Sequence, residues 1–68
     1  MTINKVKIDG LETQQQLEAL KQRLLNMIGV SNVEIDLEQQ QVNIEFETPT
    51  NLNSIEKEIY DDGYKVLN

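Results

Sequence analysis

The sequence predicts an α+β sandwich of order βαββαβ, a four-stranded sheet covered on one face by two helices. Three observations predict it. Apolar residues alternate with polar ones in three short runs, Val6/Ile8, Val33/Ile35/Leu37 and Val42/Ile44/Phe46, which is the period of a strand with one wet face. Two intervening stretches carry their apolar residues at helical spacing. At 68 residues with 38% hydrophobic content, the chain suits one small aliphatic core and no second domain, so residues 1–68 are taken as a single unit.

Taken in order, Asn4 to Ile8 is the first strand, ended by Gly10. Leu17, Leu20, Leu24, Met27 and Ile28 draw a single stripe along the first helix, which Gly29 is placed to stop through a left-handed C′ conformation. The second and third strands flank a polar hairpin connection, Glu38 to Gln41, whose length is left open because no Asn-Gly or Asp-Gly specifies its turn. Pro49 closes the third strand, and Asn51 caps a second helix with Leu52, Ile55 and Ile59 on its buried side. Asp61-Asp62-Gly63 ends that helix before a last strand, Tyr64 to Leu67. Helix crossovers join parallel strands and the short loop joins antiparallel ones, giving a ferredoxin-like sandwich with an antiparallel or mixed sheet and strand order 4-1-3-2. Lys5, Lys7, Asn43, Glu45 and Lys65 then share the open face.

Composition removes much chemistry. Twelve acidic against six basic residues give a net charge of −6, which repels nucleic acid and anionic membrane surfaces. The chain has no cysteine and no histidine, so disulfides, thiolate metal sites, cysteine nucleophiles and the usual general base are all missing. No stretch has the length of a signal-peptide core or a membrane span, so a cytoplasmic protein without membrane insertion is expected. RNA binding on this fold needs aromatic residues on the first and third strands, where Lys5, Lys7, Asn43 and Glu45 stand instead. A phosphatase needs a basic cradle after the first strand, and Asp9-Gly10-Leu11-Glu12 has the opposite sign. Glu34, Asp36, Glu45 and Glu47 alternate outward, where they solubilise the sheet and pair with Lys5 and Lys7; no carboxylate dyad is set in apolar surroundings. An enzyme is not expected.

The frame Gly10-Leu11, then two residues, two more and a helix, continues through Ile28-Gly29-Val30, Val33-Glu34-Ile35-Asp36-Leu37 and Asp62-Gly63-Tyr64. From about Val6 to Val66 it resembles the heavy-metal-associated domain of bacterial copper chaperones and P-type ATPases. In that family the loop reads Gly-Met-Thr-Cys-x-x-Cys, and its two thiolates hold Cu(I), a soft ion suited to soft sulfur. Counted from Gly10, the cysteine positions fall on Thr13 and Gln16; Leu11 replaces the methionine, and Tyr64 keeps the aromatic that lies near the metal. The resemblance therefore implies the fold, a docking face formed by Gly10, Leu11, Glu12, Thr13, Gln14, Gln15, Gln16 and Tyr64, and a protein partner such as a metal-transporting ATPase domain or a related chaperone.

It does not bring the ligands. Thr13 and Gln16 supply neutral hard oxygens; Met1 is terminal, Met27 is read as core, and Tyr64 is read as core with its hydroxyl reaching solvent. Glu58, Asp61 and Asp62 lack calcium-loop spacing and read as a solvated acidic helix end. No cofactor and no tight Cu(I) site are expected, and the chain is read as a monomer acting by protein contact. The competing reading is a metal-handling protein that binds copper weakly through unconventional ligands. Thr13-Gln14-Gln15-Gln16 instead fits a capping box, in which the Thr13 hydroxyl accepts from the Gln16 N–H and the Gln16 side chain returns to the Thr13 N–H. Gln14 and Gln15 need be no more than exposed, helix-tolerant residues.

Overall fold

A computed structural model describes residues 2–67, so Met1 lies outside the described residues. The elements run β1 (Thr2–Asp9), α1 (Gln14–Leu25), β2 (Val30–Asp36), β3 (Gln41–Phe46), α2 (Leu52–Asp61) and β4 (Lys65–Val66). The sheet order is β2-β3-β1-β4, the expected arrangement, and every hydrogen-bonded pair is antiparallel. Helix crossovers do make β1 parallel to β2 and β3 parallel to β4, but each such pair is separated by an intervening strand, so the sheet is antiparallel throughout and not mixed.

Alternation places Val6, Ile8, Val33, Val42, Ile44 and Phe46 on one face, where they meet Leu17, Leu20 and Leu24 of α1 and Ile55 and Ile59 of α2 in one continuous core. The register sets Lys5 opposite Asn43 and Lys7 opposite Gln41, while Glu45 stands opposite Ile3 and Lys65 opposite Asp9. The two lysines thus face neutral amides directly, and the expected pairing with strand carboxylates is at most diagonal. Ion pairs also join and run along the helices. Arg23 of α1 donates through Nε to Glu58 at 3.0 Å and through Nη1 to Asp62 at 2.9 Å, and Lys57 lies 3.6 Å from Asp61. Glu58 and Asp62 are therefore half-buried ion-pair partners, not a merely solvated acidic end. The hydrogen bond that Arg23 donates to Glu58, more than any other cause, raises the Arg23 pKa, and the charges of Glu58 and Asp62 add to it. Two of the three carboxylates at the negative pole of α2, which has no basic residue in its own last turn, are thus offset by a cation from the neighbouring helix.

The first helix ends earlier than the apolar stripe suggests. Asn26 is its C-cap, and Met27 to Val30 form a turn in which Met27 is half-buried and Ile28 is 76% exposed. Ile28 is held by its backbone, since its carbonyl accepts from the hydroxyl of buried Thr50. Gly29 is consequently not a helix C′ residue. Its φ of 95° and its closeness to β3 require glycine: a Cβ there would stand 2.4 Å from the Glu47 carbonyl oxygen, whose residue donates its own N–H to Gly29 O at 2.9 Å. Just beyond, β2 carries a bulge at Ser31, and the Ser31 hydroxyl donates to Glu45 O at 3.3 Å. At the other end of the hairpin, β2 stops at Asp36 and residues 37–40 make the connection, so Leu37 is in the loop and Gln41 in β3. α2 starts as expected, with the Asn51 side chain accepting from Ser54 N at 2.8 Å, and β4 is shorter than the Tyr64 to Leu67 run.

Gly29 and Gly63 separate steric contact from backbone strain, because both have positive φ but nothing lies within 4 Å of a Cβ built on Gly63. Gly63→Ala is expected to cost about 1 to 2 kcal/mol in urea unfolding. Gly29→Ala should cost clearly more, since β3 must also move.

Candidate functional site

At one end of the sandwich, β1 leaves the sheet at Asp9 and reaches α1 through Gly10 to Thr13. Gly10 turns the chain with φ 108°, and a Cβ there would lie 3.6 Å from Cδ1 of Tyr64, so this loop and the Tyr64 ring are neighbours. Leu11 is buried beneath the loop, in agreement with a packing role. Tyr64 is also core, 9% exposed, and its pKa is raised by desolvation and then by the negative charge of Asp62, which keeps the phenol protonated at neutral pH.

The start of α1 closes on itself. Thr13 is the N-cap; its Oγ1 accepts from Gln16 N at 3.0 Å. In return Gln16 Oε1 accepts from Thr13 N at 3.1 Å, completing the capping box. The same oxygen also accepts from Glu12 N at 2.8 Å. An amide oxygen has two lone pairs, so both are committed to backbone N–H groups. Gln14 reaches along the helix to Glu18 at 3.2 Å, while Glu12 and Gln15 are exposed. Gly10, Leu11, Thr13, Gln16 and Tyr64 are thus gathered at one place, with Glu12, Gln14 and Gln15 around its rim.

Gln40 belongs to this site and was not singled out in the sequence. It sits at φ 54° in the hairpin connection, and its side chain crosses to the loop. Oε1 accepts from Leu11 N at 3.0 Å, and Nε2 donates to Leu11 O at 2.6 Å and to Leu37 O at 2.7 Å. Its backbone carbonyl accepts from Ile8 N at 2.9 Å. A single residue thereby fixes both backbone groups of Leu11. The only local signal was a third glutamine in Gln39-Gln40-Gln41; glutamine has no particular preference for positive φ, and a contact across 29 positions leaves no mark in periodicity.

The chemistry of the site follows from its donors. The side-chain oxygens of Thr13 and Gln16 are neutral, hard and already engaged in hydrogen bonds. The geometry serves to order a helix start and the loop before it.

This arrangement matches a known family. The heavy-metal-associated domain family matches residues 5–65. The chain is a heavy-metal-associated domain. A "COP-associated protein" from Helicobacter felis is 30% identical over 61 residues, covering 90% of this chain and 92% of that one. Among solved structures, the "CsoZ metallochaperone" superposes with a TM-score of 0.96 at 49% identity, covering 98% of this chain and 97% of its own. The "CopZ metallochaperone" superposes at 0.93 with 22% identity, covering 97% of this chain and 100% of its own, a likeness of fold. The domain is therefore copper-chaperone-like, and it has no cysteine anywhere in the sequence.

Two substitutions measure what holds the loop. Gln40→Ala leaves the part-buried Leu11 N–H without its side-chain acceptor and is expected to destabilise by about 1 to 3 kcal/mol, with faster hydrogen exchange at the Leu11 amide. Thr13→Ala removes the cap alone and should cost about 1 kcal/mol in urea unfolding, leaving the Leu11 amide protected.

Proposed function

We propose that this heavy-metal-associated domain no longer carries Cu(I) and acts instead by protein contact through the face around Gly10 to Gln16 and Tyr64. Its partner is a metal-transporting ATPase domain or a related chaperone, which places the domain in metal homeostasis without making it a metal carrier. The observation that carries this reading is the Gln16 oxygen: it accepts from both Glu12 N and Thr13 N, so the position that would present a thiolate in the family presents a saturated amide acceptor. Cu(I) binding here would have to break the capping box and then make do with hard oxygen ligands, against soft thiols elsewhere in a cell. The half-buried thioether of Met27 packs against the core and lies in the turn after α1, not in the Gly10 to Gln16 loop.

The partner assignment draws on the relatives: two of the matching structures carry the name metallochaperone, and another is described as a copper binding domain from a P-type ATPase. Domains of this shape occur on both sides of such an encounter, and the loop face is held by hydrogen bonds to the side chains of Gln16, Thr13 and Gln40.

A competition titration against a Cu(I) chelator tests the proposal. The unmodified protein is expected to leave the chelator fully loaded, while the double variant Thr13→Cys with Gln16→Cys takes up one Cu(I) per chain. Copper withdrawn by the unmodified protein would favour weak carriage through unconventional ligands and would overturn the proposal. A folded double variant that takes up no copper would show that Thr13 and Gln16 are not the ligand positions.

A further inference from the structure

The sheet has two open edges, β2 and β4. β4 is two residues long and offers a partner little backbone, whereas β2 runs seven residues from Val30 to Asp36. Along β2 the side chains separate by face. Ile35, and Leu37 just past the strand, are half-buried against the core on the helix side, while Glu34 and Asp36 are exposed on the open side. A groove of about 770 Å³ follows this edge, with Leu17, Glu18 and Lys21 of α1 on its far wall. Its charged lining comprises Glu18, Glu34, Asp36 and Glu38 against the single cation Lys21.

A strand joining an open edge continues the pleat, so its own side chains alternate between the two faces. Those on the open side would stand beside Glu34 and Asp36, and those on the helix side beside Ile35, Leu37 and Leu17. We infer that the β2 edge and its groove bind an extended protein segment in which lysine or arginine alternates with aliphatic residues, added to the sheet as a fifth strand. Two features exclude other occupants. Pairing with the β2 edge of a second copy would set carboxylates against carboxylates, a destabilising cross-strand arrangement. Nucleic acid is repelled by the same four carboxylates. The groove reaches α1 at Gln14 but uses neither the Thr13 and Gln16 positions nor Tyr64, so this site stands or falls separately from the copper reading.

The probe is a capped peptide of about eight residues alternating lysine and valine, the length of an ordinary strand. It is titrated into isotope-labelled protein and followed by amide chemical shifts. Saturable shifts over residues 34–37 and 17–21 are expected. A peptide of the same composition with its lysines and valines in two blocks should bind about tenfold more weakly or worse, as should an alternating peptide N-methylated along one edge. Glu34→Lys combined with Asp36→Lys should weaken the alternating peptide by about tenfold while leaving a dispersed, folded spectrum. Should that variant fail to fold, salt dependence on the unmodified protein decides: affinity must fall as ionic strength rises. Shifts centred on Gly10 to Gln16 and Tyr64, equal binding of the block peptide, or affinity indifferent to both salt and the double substitution would overturn the inference.

Discussion

The constraint on which the structure depends is the parity of β1 and β3. Val6 and Ile8 must share a face with Val42 and Ile44, and the register that pairs Val6 with Val42 brings this about. A slip of one residue would turn Lys5 and Lys7 into the core and expose the aliphatic residues. With that face fixed, α1 and α2 have one surface to cover, Leu20, Leu24, Ile55 and Ile59 become fully buried, and the chain must leave β1 at Asp9 toward the start of α1. The position of the Gly10 to Gln16 loop is thus a consequence of sheet packing.

Residues whose role repeats along the chain were legible in the sequence. Strand faces, the buried side of both helices and the two N-caps follow from spacing and from residue type, because period and hydrogen-bonding capacity are local properties. The family resemblance was legible for the same reason, since glycines and aliphatic residues at fixed intervals record the frame. Readings that depended on distant contacts came out differently. The apolar stripe of α1 was extended through Met27 and Ile28, although spacing cannot tell that the chain has already turned toward β2 after Asn26. Spacing alone assigns Gly29 to the helix before it, whereas the backbone of Glu47, 18 positions later, is what requires a glycine there. Arg23 with Glu58 and Asp62, and Gln40 with Leu11, are likewise pairs that only the fold brings together.

The two glutamines at the loop act by the same chemistry in different directions. Gln16 uses one oxygen to hold two successive backbone N–H groups at the helix start, and Gln40 uses an oxygen and a nitrogen to hold the N–H and carbonyl of the residue just before them. Between them, the backbone N–H groups of Leu11, Glu12 and Thr13 all have side-chain acceptors. Backbone donors of a connecting loop are otherwise left to water. Here the sequence supplies the acceptors itself.

That distribution separates the frame of the loop from the cap of the helix that follows it. Leu11 is held by burial and by Gln40, Gly10 is held against Tyr64, and neither set of contacts involves a group that would bind copper. The members of the capping box lie at the N-cap and third helical residue, at the surface, where side chains can be exchanged with little effect on the core. The forces that place the backbone of the loop are thus distinct from the exposed side-chain hydrogen bonds that close the helix start. The hydrogen bonds contributed by Thr13 and Gln16 then act in the direction opposite to ligand exchange: they stabilise one closed conformation of the helix start, a property suited to a rigid contact surface.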